Sequence, residues 1–414
     1  MDKRSSQIIL IGIFIGIFIG AISGWIFGEK MQAVAWLGVL FMNALKMVII
    51  PLIISSMIVG ITSLGDVRHI GGTGIKTILY YTLTTGISVL IGIIMVNLIQ
   101  PGSGIGTAGA ELLERVQSKE NFSFLDVLMG LVPPNLFKAM VNMEILPLIF
   151  FSLLFGGVLT TLGKKAKIMI TFFEVINDAI MKIVHLILWF APIGIFGLVA
   201  GKLGSIGGGE AFQAELIKLG KYALTVIIGL SIHATVVLPL ILYFFAKKNP
   251  LTYLYNMGSA LTTAFSTASS SATLPLTMEC VEQKNKISSK ASSFVLPLGA
   301  TINMDGTALY EAVAAMFIAQ AYGIDLSAPE QAVVFLTATL AAIGAAGIPE
   351  AGLVMMVVVL QAVHLPLEGI GMLLTIDWFL DRCRTTVNVW GDSVGAAVIA
   401  QTKEIRDDEQ VLDK

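Results

Sequence analysis

The stretch Asp377–Asp392, DWFLDRCRTTVNVWGD, interrupts a segment that otherwise has the composition of a membrane helix. Apolar residues precede it (GIGMLLTI) and follow it (SVGAAVIA). At 100° per residue on a helix, a set of its polar side chains falls within an arc of about 100°. They are Asp377, Asp381, Arg384, Thr385, Asn388 and Asp392. Charged groups at membrane depth are too costly to face lipid, so this polar stripe is predicted to face protein, an ion or water.

Two interpretations of the polar stripe remain open. Its charges can satisfy one another, for example through an ion pair between Asp381 and Arg384. Alternatively, because two arginines face three carboxylates in this stretch, one carboxylate is left without a basic partner. A buried carboxylate of this kind requires a cation. We favour the second interpretation, which predicts a functional site on this helix.

The composition of the whole chain is that of an integral membrane protein. Of its 414 residues, 56% are hydrophobic and 13% are charged, and the mean hydropathy is +0.85. Soluble proteins have about 45–50% apolar and about 25% charged residues. The net charge is −2 and no long basic run occurs, so nucleic acid is not a predicted partner. Without a Walker A motif, metal-ligand spacing or a nucleophile–base pair, the chain is not predicted to be an enzyme.

Several apolar runs are long enough to cross a membrane as helices, which require about 20 residues. They cover residues 8–28, 34–63, 74–99, 136–162, 168–200, 219–247, 291–321 and 369–400. With a cytoplasmic N-terminus, the clusters of lysine and arginine between these runs all fall on the cytoplasmic side. This arrangement predicts a multi-pass protein of the cell membrane.

Two further stretches, Leu254–Val281 and Ala332–Val363, have a different pattern. Each has two apolar arms of about 8–13 residues, which are too short to cross the membrane. Their centres contain the serine run Ser269–Ser271 and the segment GAAGIPEAG. We therefore predict two re-entrant helical hairpins, whose irregular backbone must be buried in protein or line a wet cavity. One ordinary spanning helix for each stretch is the alternative.

The segment Thr301–Glu311, TINMDGTALYE, carries a candidate cation site. Asn303, Asp305 and Thr307 supply oxygen atoms, and the glycine after Asp305 permits the helix to unwind and expose backbone carbonyls. A hard cation such as Na+ is held by oxygen ligands of this kind. Glu311 is a further ionisable group at membrane depth, and it either carries a proton, completes a cation path or forms a buried hydrogen bond.

The remaining polar residues indicate an acidic amino acid as the substrate. A helix N-terminus at Ser269–Ser271 would bind a carboxylate through hydroxyl and backbone N–H groups. Arg384 offers a bidentate fork to a second carboxylate, and Asp381 and Thr385 are placed for an ammonium group. Broken helices that meet near the midplane are a common way for secondary transporters to build such a site.

Four motifs, SSSATLP, NMDGTALYEA, GAAGIPEAG and DWFLDRCRTTVNVWGD, resemble those of the glutamate transporter family, the dicarboxylate/amino acid:cation symporters. The resemblance covers essentially the whole chain, whose compact length is similar to that of prokaryotic members. It implies an all-α membrane protein with eight transmembrane helices and two re-entrant helical hairpins, assembled as a homotrimer in membrane lipid. It also implies an elevator-type secondary transporter, in which one domain moves across the membrane against a fixed scaffold.

The resemblance also implies a division into domains. Residues 1–73 would form scaffold helices 1 and 2, residues 74–100 helix 3 of the transport domain, and residues 101–218 scaffold helices 4 and 5. Residues 219–402 would complete the transport domain with helix 6, hairpin 1, helix 7, hairpin 2 and helix 8. Residues 403–414 would form a cytoplasmic tail.

By position in the motifs, the resemblance implies one substrate site and three sodium sites. The substrate residues are Ser269, Ser270, Ser271, Thr307, Ile348, Gly352, Asp381, Arg384, Thr385 and Asn388. The first sodium site comprises Gly299, Asn303, Asn388 and Asp392. The second comprises Tyr81, Thr84, Thr85, Asn303 and Asp305. The third, largely of backbone atoms, comprises Thr301, Met304, Ala342, Ile343 and Ala345.

These features predict sodium-coupled symport of L-glutamate or L-aspartate. Glu311 and Arg382 are similar to residues of the animal excitatory transporters, so proton co-transport and potassium counter-transport are a further expectation. A proton-coupled glutamate or dicarboxylate symporter is the alternative. A channel is less consistent with polar residues that concentrate in two helices and the hairpin tips.

Overall fold

The computed structural model describes residues 3–62, 71–103, 129–142, 144–206, 210–345 and 351–402. Within these ranges the chain is helical and contains no β-strand, which confirms the predicted all-α class. The α-helices of the described ranges are α1 (Lys3–Phe27), α2 (Ala35–Thr62), α3 (Gly71–Ile99), α4 (Leu136–Val141), α5 (Ile145–Thr161), α6 (Lys167–Trp189), α7 (Ala191–Ile206), α8 (Glu210–Ile232), α9 (Leu238–Phe245), α10 (Pro250–Thr267), α11 (Ser270–Glu279), α12 (Ser289–Ile302), α13 (Asp305–Ala321), α14 (Ala328–Ala341), α15 (Ala351–Ala362) and α16 (Ile370–Ile399).

Three helical runs in the described chain are long and apolar enough to cross a membrane, namely Ile11–Thr62, Gly72–Ile99 and Ile217–Phe245. The helices Gly163–Trp189 and Ala191–Gly201 meet at a bend of 54° and add a fourth if they act as one span. The predicted run 291–321 is divided into α12 and α13, of 14 and 17 residues, and α16 contains the polar stripe. The number of crossings therefore stays a prediction.

The helices pack in two groups, of which the first consists of α1, α2, α5, α6 and α7. α1 packs along α7, and α2 contacts α5, α6 and α7. A Cβ atom on Gly16 would lie 2.3 Å from the carbonyl oxygen of Pro192, and one on Gly197 would lie 2.8 Å from the backbone nitrogen of Gly38. The glycines thus let these apolar helices approach each other closely, as is common in membrane proteins.

The second group consists of α3 and of α8 to α16. α16 contacts α8, α10, α12 and α13, while α3 packs on α8 and α13. Because other helices surround α16, its polar stripe is buried, and Arg384 is 0% and Asp392 3% exposed. The stripe therefore faces protein, as the sequence predicted.

Two helix breaks lie beside α16. Asn303 and Met304 separate α12 from α13 and have non-helical backbone angles. Ala268, with a left-handed φ of 50°, separates α10 from α11. Ser269 then caps α11, because its hydroxyl oxygen accepts a hydrogen bond from the N–H of Ala272 at 3.1 Å. Both breaks fall within the segments for which the sequence predicted irregular backbone.

Both predicted hairpin stretches form pairs of packed helices. α10 and α11 fold back on each other, with Ser259 Oγ 3.1 Å from Cys280 Sγ across the pair. α14 packs on α15 and ends in a 3-10 turn, Ala342–Gly344. Residues 346–350, which include the predicted substrate residue Ile348, lie outside the described residues. How far either pair enters the membrane stays a prediction.

The α14–α15 pair lies against α2 and α5 of the first group. Leu146 of α5 packs with Val333 of α14 in a small apolar cluster. A Cβ atom on Gly60 of α2 would lie 2.9 Å from the carbonyl oxygen of Ile343. The contact between the groups is therefore close and largely apolar at this hairpin.

Candidate functional site

Arg384 is the centre of the charged part of the site. Its Nη1 donates a hydrogen bond to Asp377 Oδ1 at 2.8 Å, and its Nη2 donates to Asp381 Oδ1 at 2.7 Å. The guanidinium carbon lies 3.9 Å from the centroid of the Tyr310 ring, which makes a cation–π contact. The ion pair of Asp381 and Arg384, one of the two interpretations left open by the sequence, is therefore formed, and Asp377 adds a second.

The guanidinium group of Arg384 still has donors to spare. An arginine has five N–H groups, and the two ion pairs use one on each terminal nitrogen. Its Nε has no hydrogen-bond partner within the described ranges. A Cβ atom on Gly352 would lie 3.0 Å from the guanidinium carbon, so a side chain at this position would crowd the guanidinium group. The second N–H groups of the two terminal nitrogens can donate hydrogen bonds to the two oxygens of a carboxylate in a bidentate arrangement.

Asn388 ties α16 to the break between α12 and α13. Its Oδ1 accepts a hydrogen bond from the N–H of Gly306 at 2.7 Å. Its Nδ2 donates to Thr307 Oγ1 at 3.1 Å and lies 3.2 Å from Met304 Sδ. A Cβ atom on Gly306 would lie 2.6 Å from the carbonyl oxygen of Arg384, so glycine is needed for this approach. The broken helix is thereby fixed against the polar stripe.

Asp392 lies in a second buried cluster, nearer the C-terminus of α16. Its Oδ1 accepts a hydrogen bond from Asn303 Nδ2 at 2.9 Å. A Cβ atom on Gly299 would lie 2.5 Å from this carboxylate oxygen and 2.7 Å from the Tyr81 hydroxyl oxygen. The hydroxyl of Tyr81 donates to the carbonyl oxygen of Val295 at 2.7 Å, which leaves its own oxygen facing Gly299. The carboxylate and hydroxyl oxygens of this cluster suit a sodium ion, while Asn303 turns its amide nitrogen towards Asp392.

Asp305 forms a third buried cluster with α3. Its Oδ1 accepts a hydrogen bond from Thr85 Oγ1 at 2.7 Å, and its backbone oxygen accepts one from Ser88 Oγ at 2.8 Å. Thr84 Oγ1 lies 3.3 Å from Asn303 Oδ1. Because Asn303 also binds Asp392, it connects this cluster to the previous one.

His233 completes the Asp305 cluster, although the sequence did not indicate it. Its Nε2 lies 3.0 Å from Asp305 Oδ2, and both side chains are 0% exposed. The two residues are 72 positions apart, so no spacing pattern connects them. The only available signal was a polar side chain within a long apolar helix.

The residues of the third predicted sodium site lie on neighbouring elements. Ala342 and Ala345 are buried at the end of α14. The turn that begins at Ala342 contacts α12 and α13, between which Met304 lies. The hydroxyl of Thr301 donates to the carbonyl oxygen of Leu298 within its own helix at 3.1 Å. Backbone carbonyls are therefore the ligands that this set offers.

Arg382 connects α16 to the first hairpin. Its Nη1 donates to the carbonyl oxygens of Ser266 at 3.0 Å and Phe265 at 3.3 Å, at the end of α10. These carbonyls are among the last four of α10, which have no partner within the helix. Arg382 and Arg384 thus have separate partners, although they are two residues apart.

The other predicted substrate residues differ in their exposure. Ser269 and Ser270 are buried at the start of α11, whereas Ser271 is exposed. Thr385 is buried, and its hydroxyl donates to the carbonyl oxygen of Asp381 at 2.9 Å within α16. The hydroxyl oxygen of Thr385 retains its capacity to accept a hydrogen bond from an ammonium group.

Glu311 is fully buried, and neither of its carboxyl oxygens has a hydrogen-bond partner among the described residues. It follows Tyr310, whose ring lies against Arg384. Tyr222 of α8 packs edge-on to Tyr310 at 6.3 Å between ring centroids. The described part of the chain therefore gives no support to a structural hydrogen bond as the role of Glu311.

Comparison with known proteins places the chain in a family. A family model described as the sodium:dicarboxylate symporter family matches residues 9–402. The chain belongs to this family.

Named relatives of the symporter are excitatory amino acid transporters. It is 41% identical to excitatory amino acid transporter 3 of Oryctolagus cuniculus over an alignment of 418 residues. This alignment covers 88% of this chain and 78% of the relative. It is 39% identical to excitatory amino acid transporter 1 of Ambystoma tigrinum, over 90% of this chain and 77% of the relative. It is 40% identical to excitatory amino acid transporter 2 of Mus musculus, and the match covers 90% of this chain and 73% of the relative.

The family membership decides several of the predictions. The symporter is a multi-pass membrane protein and not an enzyme, as the sequence predicted. The family description also supports coupling to sodium and transport of a small molecule. The resemblance drawn from the four motifs is therefore confirmed.

Proposed function

We propose that this symporter uses the sodium gradient to take up an acidic amino acid, L-glutamate or L-aspartate. The observation that supports this proposal most is the buried guanidinium of Arg384, which has unused N–H groups and lies beside buried carboxylate clusters. A buried cation with a bidentate fork recognises a carboxylate. The names of the relatives agree with such a substrate.

The substrate contacts follow from the positions of donors and acceptors. The side-chain carboxylate of the substrate binds the remaining N–H groups of Arg384. Its ammonium group binds Asp381 and Thr385, which lie within one helical turn of Arg384. Its backbone carboxylate lies towards Asn388 and Thr307 and the N-terminus of α11, where backbone N–H groups favour an anion.

Sodium ions bind as co-transported substrates at Asp392 and Asp305, two of the three buried carboxylates that have no arginine partner in the described contacts. One ion binds Asp392, Asn303 and the backbone at Gly299. A second binds Asp305 with the hydroxyls of Thr85 and neighbouring α3 residues. A third is held by carbonyls of the second hairpin and of the break at Met304. Each ion offsets charge that would otherwise be costly to bury.

The transport cycle is an elevator movement of the second packing group against the first. The proposed scaffold comprises residues 1–73 and 101–218, and the moving domain comprises residues 74–100 and 219–402. The support is that the three polar clusters around Arg384, Asp392 and Asp305 lie within the second group, while the α14–α15 pair meets α2 and α5 through apolar side chains. A largely apolar contact can slide without breaking buried ion pairs.

The first packing group also supplies the proposed homotrimer interface and lipid contacts. On α6, large apolar residues such as Ile168, Val175 and Leu186 are 84%, 61% and 61% exposed. Exposed apolar area on this scale must be covered by lipid or by other subunits.

Uptake of labelled L-glutamate and L-aspartate into proteoliposomes tests the proposed function. With an inward sodium gradient, we expect uptake that choline in place of sodium abolishes. Internal potassium and internal choline are compared under the same gradient, and faster uptake with potassium indicates counter-transport. Uptake driven by a proton gradient without sodium would contradict the proposal and favour the proton-coupled alternative.

Glu311 and Arg382 are the residues to which we assign proton and potassium coupling. In Glu311→Gln, the amide cannot release or bind a proton, so net uptake should be largely lost while exchange of internal for external substrate continues. Both rates are measured in the same proteoliposomes. Glu368→Gln, at an exposed glutamate in the turn before α16, is the control and should keep both rates. Full net uptake by Glu311→Gln would show that this glutamate has a structural role.

A further inference from the structure

His233 lies at an irregular point of a transmembrane helix. The run Ile217–Phe245 changes from an α-helix to a π-helical turn at His233–Val237. In this turn the N–H of Leu238 donates to the carbonyl oxygen of His233, five residues earlier. Such turns are rare and often occur at functional sites.

The π-helical turn is held in place by α16. Trp390 Nε1 donates to the carbonyl oxygen of Ala234 at 3.0 Å. The next residue, Gly391, lies against the Asp305 carboxylate, because a Cβ atom there would lie 3.0 Å from Asp305 Oδ2. The turn and the polar stripe therefore enclose the same carboxylate oxygen.

The two oxygens of Asp305 have different surroundings. Oδ2 faces His233 Nε2 at 3.0 Å, and since an ionised carboxylate only accepts hydrogen bonds, Nε2 is the donor. Oδ1 faces Thr85 Oγ1 at 2.7 Å, on the side of α3. His233 thus occupies one oxygen and leaves the other on the side where the threonine hydroxyls and Asn303 gather.

We propose that His233 is a positioning residue for a co-transported cation, which holds Asp305 so that only Oδ1 is presented to a sodium ion. This inference rests on the proposed sodium site at Asp305. Residues that hydrogen-bond a metal ligand from behind commonly fix its orientation and set the affinity of the site. The fully buried Nδ1 of His233 has no hydrogen-bond partner among the residues that the structure describes, which agrees with a ring held by a single hydrogen bond.

The test compares two variants of nearly equal shape, His233→Gln and His233→Met. Glutamine retains an N–H donor that can reach Oδ2, whereas methionine does not. The full-length purified symporter is titrated with sodium chloride at constant ionic strength, with choline as the replacing cation and no amino acid present. The measured quantity is the sodium concentration that gives half of the maximal rise in unfolding temperature.

The methionine variant should require about tenfold more sodium or more, as is typical when the partner of a metal ligand is removed. The glutamine variant should stay close to the unaltered protein. His185→Met is the control, because the half-buried His185 of α6 likewise has no partner for its Nδ1 in the described ranges but lies in the first packing group. In proteoliposomes, the sodium dependence should shift in His233→Met while the KM for L-glutamate at saturating sodium changes little.

Several outcomes separate this inference from the proposed site. If Asp305→Asn weakens sodium binding but His233→Met does not, the positioning role is refuted and the site stands. Equal losses in the glutamine and methionine variants would mean that packing rather than the hydrogen bond matters, which also refutes it. If neither Asp305→Asn nor His233→Met has an effect, the sodium site itself is wrong. His233→Leu provides a second apolar variant if the methionine variant does not fold.

Discussion

Replacement of Arg384 by alanine is expected to abolish binding of L-glutamate and L-aspartate. The guanidinium is fully buried and is the group to which we assign the side-chain carboxylate of the substrate. Truncation of one partner in a buried, hydrogen-bonded charge pair costs about 2–5 kcal/mol, so the affinity should fall by at least about 30-fold. Binding is measured by isothermal titration or by ligand-dependent stabilisation at saturating sodium. An unchanged affinity would refute the assignment of the substrate carboxylate.

The alanine variant also leaves Asp377 and Asp381 without their cation. Two unpaired carboxylates in the core would destabilise the protein, so a loss of binding in Arg384→Ala alone could reflect misfolding. The double variant Asp377→Asn/Arg384→Ala removes one of these charges and should fold better while still failing to bind. Assembly is verified if the double variant elutes from a size-exclusion column as the same oligomer as the unaltered protein. Lys284→Ala, at an exposed lysine whose Nζ lies 3.0 Å from Ser259 Oγ, is the control for the loss of a cation elsewhere.

The polar stripe shows which part of the site can be predicted from sequence. Helical periodicity alone places Asp377, Asp381 and Arg384 on one face, and these are the residues that form the buried ion pairs. The contacts between α16 and other helices depend on positions far away in the chain. The Tyr310 ring against the guanidinium and the space at Gly352 are of this kind.

Helix breaks were predicted where glycine, serine or excess length marked them, but the residues at which the helices break were not. The glycine of NMDG indicated the break at Asn303 and Met304, although the residues with irregular angles precede it. In the first hairpin the left-handed residue is Ala268, which the run of serines after it does not specify. The predicted run 168–200 is longer than one crossing requires, which indicates a tilted or broken helix, and it bends by 54° after Trp189, just before a proline. A proline favours such a break but does not require it.

Thr85 of α3 and His233 are residues of the site that sequence patterns alone do not identify. Thr85 and His233 contact different oxygens of Asp305, and each lies in a largely apolar helix. Thr85 was included only because of the family resemblance. His233 is part of no motif, and only the packing of helices that are distant in sequence brings it to the Asp305 carboxylate.

The substitutions Asp392→Asn and Asp305→Asn are also expected to have large effects, here on the sodium dependence of uptake. Each replaces a buried carboxylate that we assign to a sodium ion with a neutral amide of the same shape. The charge that offsets the ion is lost, so the sodium concentration for half-maximal uptake should rise by about tenfold or more. The measurement is L-aspartate uptake as a function of external sodium at fixed membrane potential. Asp325→Asn, in the exposed connection between α13 and α14, is the control and should leave the curve unchanged.

The two sodium clusters should also depend on each other, because Asn303 lies in both. Its Nδ2 donates to Asp392 Oδ1 at 2.9 Å, and its Oδ1 lies 3.3 Å from Thr84 Oγ1 beside Asp305. An ion that fixes the orientation of this amide in one cluster favours the second ion in the other. The sodium dependence of the unaltered symporter should therefore be sigmoidal, and either asparagine variant should lower its Hill coefficient. A symporter that is indifferent to both substitutions would contradict the assignment of these carboxylates, whereas a raised half-saturation with an unchanged Hill coefficient would contradict only the link through Asn303.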